Sequence, residues 1–500
     1  MAANKIVQAV GAAEAGTTTR HDALQATAPQ DIEALIHGAV DADAGGETLT
    51  TGIGCSPGAA VGQVYFTCDD VLDAADRGEL TILAAVETSP ADEIAMRVAE
   101  GILTARGGMA SHAAVVARGW GLPAVCGAES LTFTDDAMVV DGRRIEAGET
   151  ITIDGASGAV VLGGGEVDRS EVPAEFHTLL GWADDVCADK LTVLANADTG
   201  PDAAKARELG AQGIGLCRTE HMFMGERLPV VQAVLGSDGT GAVHDEALAE
   251  LVDVQHNDFA DLFEAMDGLP VTVRLLDAPL HEFTPEAHEH NPMLGLRGVR
   301  LGLLRTDIFS AQVQAIGAAM AERVAAGGDP RVKIMVPLVS TVTETAQAVA
   351  LVRESIAAHV PSDHSVPVGT MIETPRAALV AGELAAHVDF FSFGTNDLTQ
   401  LTFGFSRDDV EGSVIRPYID QGLLDISPFE SIDVDGVGQL VTGAVQAARG
   451  VKPELECGIC GEHGGDPASI AFFAAAGLDS VSASPYRVPV ARLAASHALL

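Results

Sequence analysis

Val332-Lys-Ile-Met-Val-Pro-Leu338, an amphipathic segment over 341–359, and Val366-Pro-Val-Gly-Thr-Met-Ile-Glu373 read in succession as strand, helix and strand. Two short apolar runs separated by a helix of that length cannot close a hairpin, so they predict a parallel βα unit. The same alternation begins at Leu191, with further candidate strands over 191–196, 213–218, 271–277, 389–397 and 455–460 and long helices over 246–266 and 308–326. Most of these strands end in a charged or polar residue, at the edge where a (β/α)8 barrel carries its active site. Seven strands are legible; the stretch 279–307 is ambiguous, and no solenoid repeat is present. The expectation is an α/β protein whose residues 191–500 form a TIM barrel.

Upstream the pattern changes. Residues 1–50 are rich in Ala, Gly and Thr, with one helical stretch around Asp31–His37, and read as a partly helical leader. From Thr51 short strands alternate with glycine turns, ending with Gly158-Ala-Val-Val-Leu162, so 51–163 reads as a small, mostly β domain. Residues 164–190 begin glycine-rich and become charged without a strand pattern, which suits a hinge linker.

Hydrophobic residues make up 47% of the chain but aromatic residues only 4%, which predicts an Ala/Val/Leu/Ile core of the kind barrels prefer. The net charge of −42 argues against nucleic acid and anionic membrane as partners. Only five lysines occur, beside 24 arginines. Such a composition suits a salt-rich cytoplasm, or a GC-rich genome that writes Arg and Ala for Lys. No apolar run reaches a membrane span and no secretory signal opens the chain, so a cytoplasmic location is expected. The seven cysteines form no disulfide framework, and Cys457-Gly-Ile-Cys460 lacks the second ligand pair that zinc would need.

Two constellations carry chemistry. In Arg106-Gly-Gly-Met-Ala-Ser-His112-Ala-Ala-Val-Val-Ala-Arg-Gly-Trp-Gly121, paired glycines allow a turn and Ser111 can cap a helix opening at His112. An imidazole at a helix N-terminus can accept a phosphoryl group and hold its charge against unpaired N–H groups. At the strand ends, Arg218, Arg274 and Arg297 would make a clamp for carboxylate and phosphoryl oxygens. Glu373 and Asp397 are hard oxygen donors suited to Mg²⁺.

The glycine-turn and histidine stretch resembles the phosphohistidine motif of the enzymes that interconvert pyruvate and phosphoenolpyruvate (PEP), most closely the pyruvate, phosphate dikinases. Further matches follow in order: Leu216-Cys-Arg-Thr-Glu-His-Met-Phe, Arg274-Leu-Leu-Asp-Ala-Pro-Leu-His-Glu-Phe, Asn291-Pro-Met-Leu-Gly-Leu-Arg-Gly, Glu373-Thr-Pro-Arg-Ala, Ser392-Phe-Gly-Thr-Asn-Asp and Cys457-Gly-Ile-Cys-Gly-Glu-His. The resemblance implies that 51–163 is a swivelling phosphohistidine domain with His112 as phosphoryl carrier. It implies that Arg218, Arg274 and Arg297 bind PEP or pyruvate, that Asn396 orients the substrate, and that Glu373 and Asp397 hold Mg²⁺. Cys460 would exchange a proton with the methyl carbon of pyruvate, a task expected to need a lowered thiol pKa. Two departures stand out: Ala110 where dikinases usually carry Thr, and Leu296 where they commonly carry His.

A complete dikinase begins with a nucleotide-binding domain, whereas about 50 residues precede the carrier domain here and no P-loop is visible. The expected activity is therefore the PEP/pyruvate half-reaction, with a separate ATP-binding polypeptide for the other half, in a barrel that commonly forms homodimers. Alternatives are a PEP-protein phosphotransferase, whose motif usually has Arg where Met109 stands, and a PEP synthase-like enzyme, which usually has Cys where Ser111 stands. A PEP-sensing regulatory subunit without turnover is the non-enzymatic alternative.

Overall fold

Parallel strands joined by helices all begin at one end of a sheet, so the residue that ends each strand arrives on one rim. In the computed structural model this sheet closes. The structure describes residues 2–500 other than 38, 41–46, 90–91, 110, 135–136, 165–166, 169–171, 224–226, 237–238, 280–282, 284–288 and 363. Ala110 thus lies outside the described residues.

The barrel strands are Thr192–Asn196, Ile214–Arg218, Pro270–Arg274, Arg331–Val336, Val368–Ile372, Phe390–Phe393, Glu456–Ile459 and Ser480–Ala483. Each pairs in parallel with the next, and the last pairs with the first. The expected helices appear as Ala242–Ala265, Thr306–Ala325 and Val342–His359. The eighth strand, Ser-Val-Ser-Ala, was not legible because it carries one branched apolar residue; burial of all four residues makes it a strand. The ambiguous stretch holds the short turn Pro292–Leu294 and the helix Gly298–Leu304, with no strand among its described residues.

Helix Ala242–Ala265 buries Leu251, Gln255, Phe259, Leu262 and Phe263 on one face. Gln255 is fully buried, and neither of its amide atoms has a partner among the described residues. An unmatched buried amide costs about 1–3 kcal/mol. Gln255→Met, similar in length and apolar, should recover about that amount, read as a higher urea midpoint at unchanged slope. A lower midpoint would mean that the amide has a partner.

The chain divides into two compact units, one of residues 1–187, 405–431 and 492–500, the other of residues 188–404 and 432–491. In the first, an eight-stranded mixed sheet carries alternate side chains into two cores. Ile82, Ala84, Leu103 and Val125 enter one core with Leu131, Met138 and Ile145 of the three-stranded sheet made by Leu131–Thr134, Ala137–Val140 and Arg143–Glu146. Leu83, Ile102, Ala124 and Cys126 enter the other, against Val71, Met96 and Ala113, Ala114 and Ala117 of helix His112–Trp120.

Two segments flanking the small β domain carry more regular structure than their sequence pattern suggests. The leader carries three helices, Ala2–Glu14, Arg20–Ala26 and Pro29–His37, which bury Ile6, Val10, Leu24 and Ile32. The expected linker holds strand Val167–Asp168, paired with Ala39–Val40, and helix Ala174–Cys187. That helix buries Phe176, Leu179, Leu180, Ala183 and Cys187 at helical spacing, and Arg492 pairs with its Asp184 at 2.5 Å.

Candidate active site at the barrel mouth

Arg218 and Arg274 end adjacent strands and are paired in register, which places two guanidinium-bearing residues side by side on the rim. Arg274 is buried, its Nη2 bonded to Glu220 Oε1 and its Nη1 3.1 Å from Asp277 Oδ2. Arg297 reaches the same aspartate with a fork, Nε to Oδ1 at 3.0 Å and Nη2 to Oδ2 at 2.7 Å, and its Nη2 also meets Asp397 Oδ2 at 3.2 Å. Burial works against both arginine charges, but the carboxylates around them outweigh it and hold both guanidinium groups protonated.

Glu373 follows strand Val368–Ile372, and Asp397 lies in the first turn of helix Thr395–Phe403. Oxygen atoms of Asp277, Glu373 and Asp397 all lie within 4.8 Å of one another. Glu373 is buried, and its Oε1 accepts the Leu338 N–H at 2.6 Å. Burial, then the charges of Asp277 and Asp397, push its pKa well above the ordinary carboxylate value, against the pull of Arg274 and Arg297. Three hard oxygen donors crowded until one of them resists ionisation are the donor set a small divalent cation relieves, so these residues fit Mg²⁺. Asp277 is the member of this cluster that was not anticipated from the sequence; its spacing three residues after Arg274 was the available signal.

Two glycines make room for this cluster. Gly298 has φ of +57°, and a Cβ there would meet Asp277 Oδ1 at 2.6 Å and Leu338 Cβ at 2.8 Å. At Gly394 a methyl would press on Glu373 Oε2 and lie 2.8 Å from Glu373 Cβ. Gly394→Ala should therefore displace the Glu373 carboxylate and raise the half-saturating Mg²⁺ concentration about tenfold or more, roughly 1.4 kcal/mol. Calorimetric titration with Mg²⁺ measures it, and an unchanged midpoint would remove Glu373 from the candidate cation site.

Asn396 is oriented by accepting the Glu462 N–H on Oδ1 at 3.0 Å, and the preceding Thr395 Oγ1 lies 2.7 Å from His463 Nδ1 in a fully buried contact. His463 was not anticipated; only the tertiary fold brings the two loops together. Cys460 is buried in an apolar cluster with Leu216, Met335, Met371 and Phe390. Its thiol pKa is pushed up to about 11, chiefly by burial. The expected lowering is thus reversed, because the apolar surroundings outweigh Arg274 and Arg218. Cys457 sits three positions earlier, on the opposite side of its strand, and both thiols are free. Leu296 packs partly buried against the Phe223 and Phe283 cluster, and its N–H donates to Glu289 Oε1 at 2.7 Å.

In the first unit His112 opens helix His112–Trp120, capped by Ser111, whose Oγ accepts the Ala114 N–H at 3.3 Å. Gly107 takes φ of +98° in the turn before it. The half-buried ring has Nδ1 3.1 Å from Thr88 Oγ1 and Nε2 3.4 Å from Glu93 Oε1.

Residues 172–500 match the family described as PEP-utilising enzyme, PEP-binding domain. The chain belongs to the PEP-utilising enzymes. Residues 78–158 match the mobile domain of PEP-utilising enzymes, and this span contains His112. Among curated relatives, pyruvate, phosphate dikinase 1 of Oryza sativa subsp. japonica is 45% identical over 98% of this chain and 55% of its own length. Pyruvate, phosphate dikinase 2 of Zea mays is 44% identical over 98% of this chain and 59% of its own length. The chain therefore spans little more than half the length of the curated relatives it matches. Among the described residues of this PEP-utilising enzyme, no helix is long and apolar enough to cross a membrane.

Proposed function

We propose that this PEP-utilising enzyme catalyses phosphoryl exchange between PEP and His112, releasing pyruvate, as the PEP/pyruvate half of a dikinase. The observation that carries the reading is the convergence of Arg274, Arg297, Asp277, Glu373 and Asp397 at one end of the barrel, beside the buried Cys460 thiol.

Arg218, Arg274 and Arg297 hold the carboxylate and phosphoryl oxygens of PEP and neutralise charge as the bridging oxygen becomes an enolate. Asp277, Glu373 and Asp397 would hold Mg²⁺, which when bound supplies further positive charge to those oxygens. Asn396 orients the substrate. His112 attacks phosphorus in line as the bond to the enol oxygen breaks. Cys460 then delivers its proton to the methylene carbon, giving pyruvate; a thiol held neutral by burial suits a donor. Nucleotide chemistry, on this reading, is supplied by a site outside these 500 residues.

The test is incubation with ³²P-labelled PEP and Mg²⁺. The expected result is an acid-labile, base-stable label on the protein, pyruvate released in equal amount, and labelled pyruvate exchanged into PEP. Chelation should stop all three and Mg²⁺ restore them. PEP binding without exchange would favour a sensing subunit instead.

A further inference from the structure

The backbone of Cys460 is held from both sides, on one of them by two residues that take no part in the chemistry above. Strand Glu456–Ile459 lies beside Ser480–Ala483, with Ile459 opposite Val481, and the same register continued by one step puts Cys460 beside Ser482. Ser480–Ala483 in turn lies beside Thr192–Asn196. The Cys460 N–H donates to the Phe393 carbonyl at 3.2 Å, toward the strand on its other flank. From the opposite side Asn196 reaches past Ser480–Ala483, and its Nδ2 donates to the Cys460 carbonyl at 3.1 Å.

Asn196 is itself oriented. Its Oδ1 accepts the Ser482 hydroxyl at 2.6 Å, and Ser482 is buried. A carbonyl can only accept and an amide nitrogen can only donate, so the two contacts together fix which way the amide points. The neighbouring strand makes room for them. Ala195 lies opposite Ile214 but Asn196 lies opposite Leu216, which leaves Gly215 as the extra residue of a bulge at Asn196. A Cβ on Gly215 would lie 2.6 Å from Ser482 Oγ and 2.7 Å from Ser482 Cβ. Bulges next to active sites re-aim side chains.

We propose that Asn196, oriented by Ser482, is a positioning residue for the Cys460 thiol, an assignment that rests on the reading of Cys460 as the proton donor. In that step the S–H bond breaks as a C–H bond forms at the methylene carbon of the enolate, leaving a thiolate that takes a methyl proton back in the reverse direction. Carbon accepts the proton only along the axis perpendicular to the enolate plane, so the thiol has to be set closely over it. Cys460 is the first residue beyond its strand, where the ladder stops holding the chain. The Asn196 amide supplies an anchor on that side, through the Cys460 backbone rather than through the substrate.

Asn196→Ala removes the donor to the carbonyl and leaves the arginines and carboxylates in place. It should slow exchange of labelled pyruvate into PEP by about 10²-fold, the loss that a displacement of about 1 Å brings. Half-saturating pyruvate and the affinity for oxalate in Mg²⁺ should stay unchanged. Because the proton step becomes the slow one, methyl-deuterated pyruvate should lag ordinary pyruvate by a larger factor in the variant than in the wild-type protein. Ser482→Ala keeps the amide-to-carbonyl bond but lets the amide turn. It should show a smaller loss of the same kind and add nothing in the Asn196→Ala background, and it carries the test if Asn196→Ala does not fold. Disrupted packing alone would weaken oxalate binding along with the rate and leave the isotope effect where it was. That result, or wild-type exchange by Asn196→Ala, would overturn the assignment. Cys460→Ala tells the two readings apart. If it exchanges pyruvate as fast as the wild-type protein, the donor reading falls and this assignment with it, whereas slow exchange by Cys460→Ala beside wild-type exchange by Asn196→Ala removes Asn196 alone.

Discussion

His112→Ala should take up no phosphoryl label from PEP above background, while its barrel still binds oxalate and Mg²⁺ as the wild-type protein does. The separation follows from where the residues lie. His112 and the groups that touch it, Thr88 and Glu93, belong to the first unit, whereas Arg274, Arg297 and the three carboxylates belong to the barrel unit. Oxalate is a planar dianion close in shape to the enolate of pyruvate, so it probes the proposed arginine clamp and the proposed cation site without needing a phosphoryl acceptor. The ring is half-buried at a helix start whose cap is made by Ser111, so its removal leaves helix His112–Trp120 intact. Calorimetric titration with oxalate, set beside the labelling assay, checks both halves. Residual acid-labile label in the variant would assign the carrier role to another residue.

Glu373→Gln should do the opposite: it should abolish cation-dependent exchange by on the order of 10³-fold, equal to about 4 kcal/mol, and yet make the metal-free protein more stable. Gln retains an oxygen able to accept the Leu338 N–H, so that buried bond survives. What disappears is a charge forced beside Asp277 and Asp397 in a buried site. The sign with pH follows from linkage. Burial and the two neighbouring carboxylates raise the folded pKa of Glu373 above its ordinary 4.5. A group so raised contributes stability below its unfolded pKa and loses it as pH climbs through the folded value. The metal-free wild-type protein therefore loses stability on this account as pH rises above about 4.5, and the variant does not. Thermal melts in chelator should show the variant ahead by more at pH 8 than at pH 5. Added Mg²⁺ should raise the wild-type melting temperature and leave the variant where it was. A wild-type protein indifferent to Mg²⁺ at both pH values would remove the cation from the cluster.

Local order explains which parts were legible in the chain. A strand-ending arginine or carboxylate carries its own signal, since parallel strands bring their C-terminal residues to one rim; Arg218, Arg274, Glu373 and Cys460 follow that rule. The histidine helix was readable because its turn glycine and its serine cap act within a few residues. Residues whose roles come from distant partners were not. Thr395 meets His463 across 68 positions, and Arg297 meets Asp397 across 100. Strand Ser480–Ala483 is a strand because it closes the barrel against Thr192–Asn196, a reason absent from its own four residues.

The linear chain by itself determined the alternation of strand and helix, the glycine turn and cap before His112, and the chemical types available for a phosphoryl site, because propensity, period and capping act over neighbouring residues. Only the tertiary structure decided that Asp277 joins Glu373 and Asp397, that Cys460 is held neutral, and that Glu93 faces Nε2. Charge crowding, desolvation and proton position depend on distances through space, and burial sets how strongly each of them is felt.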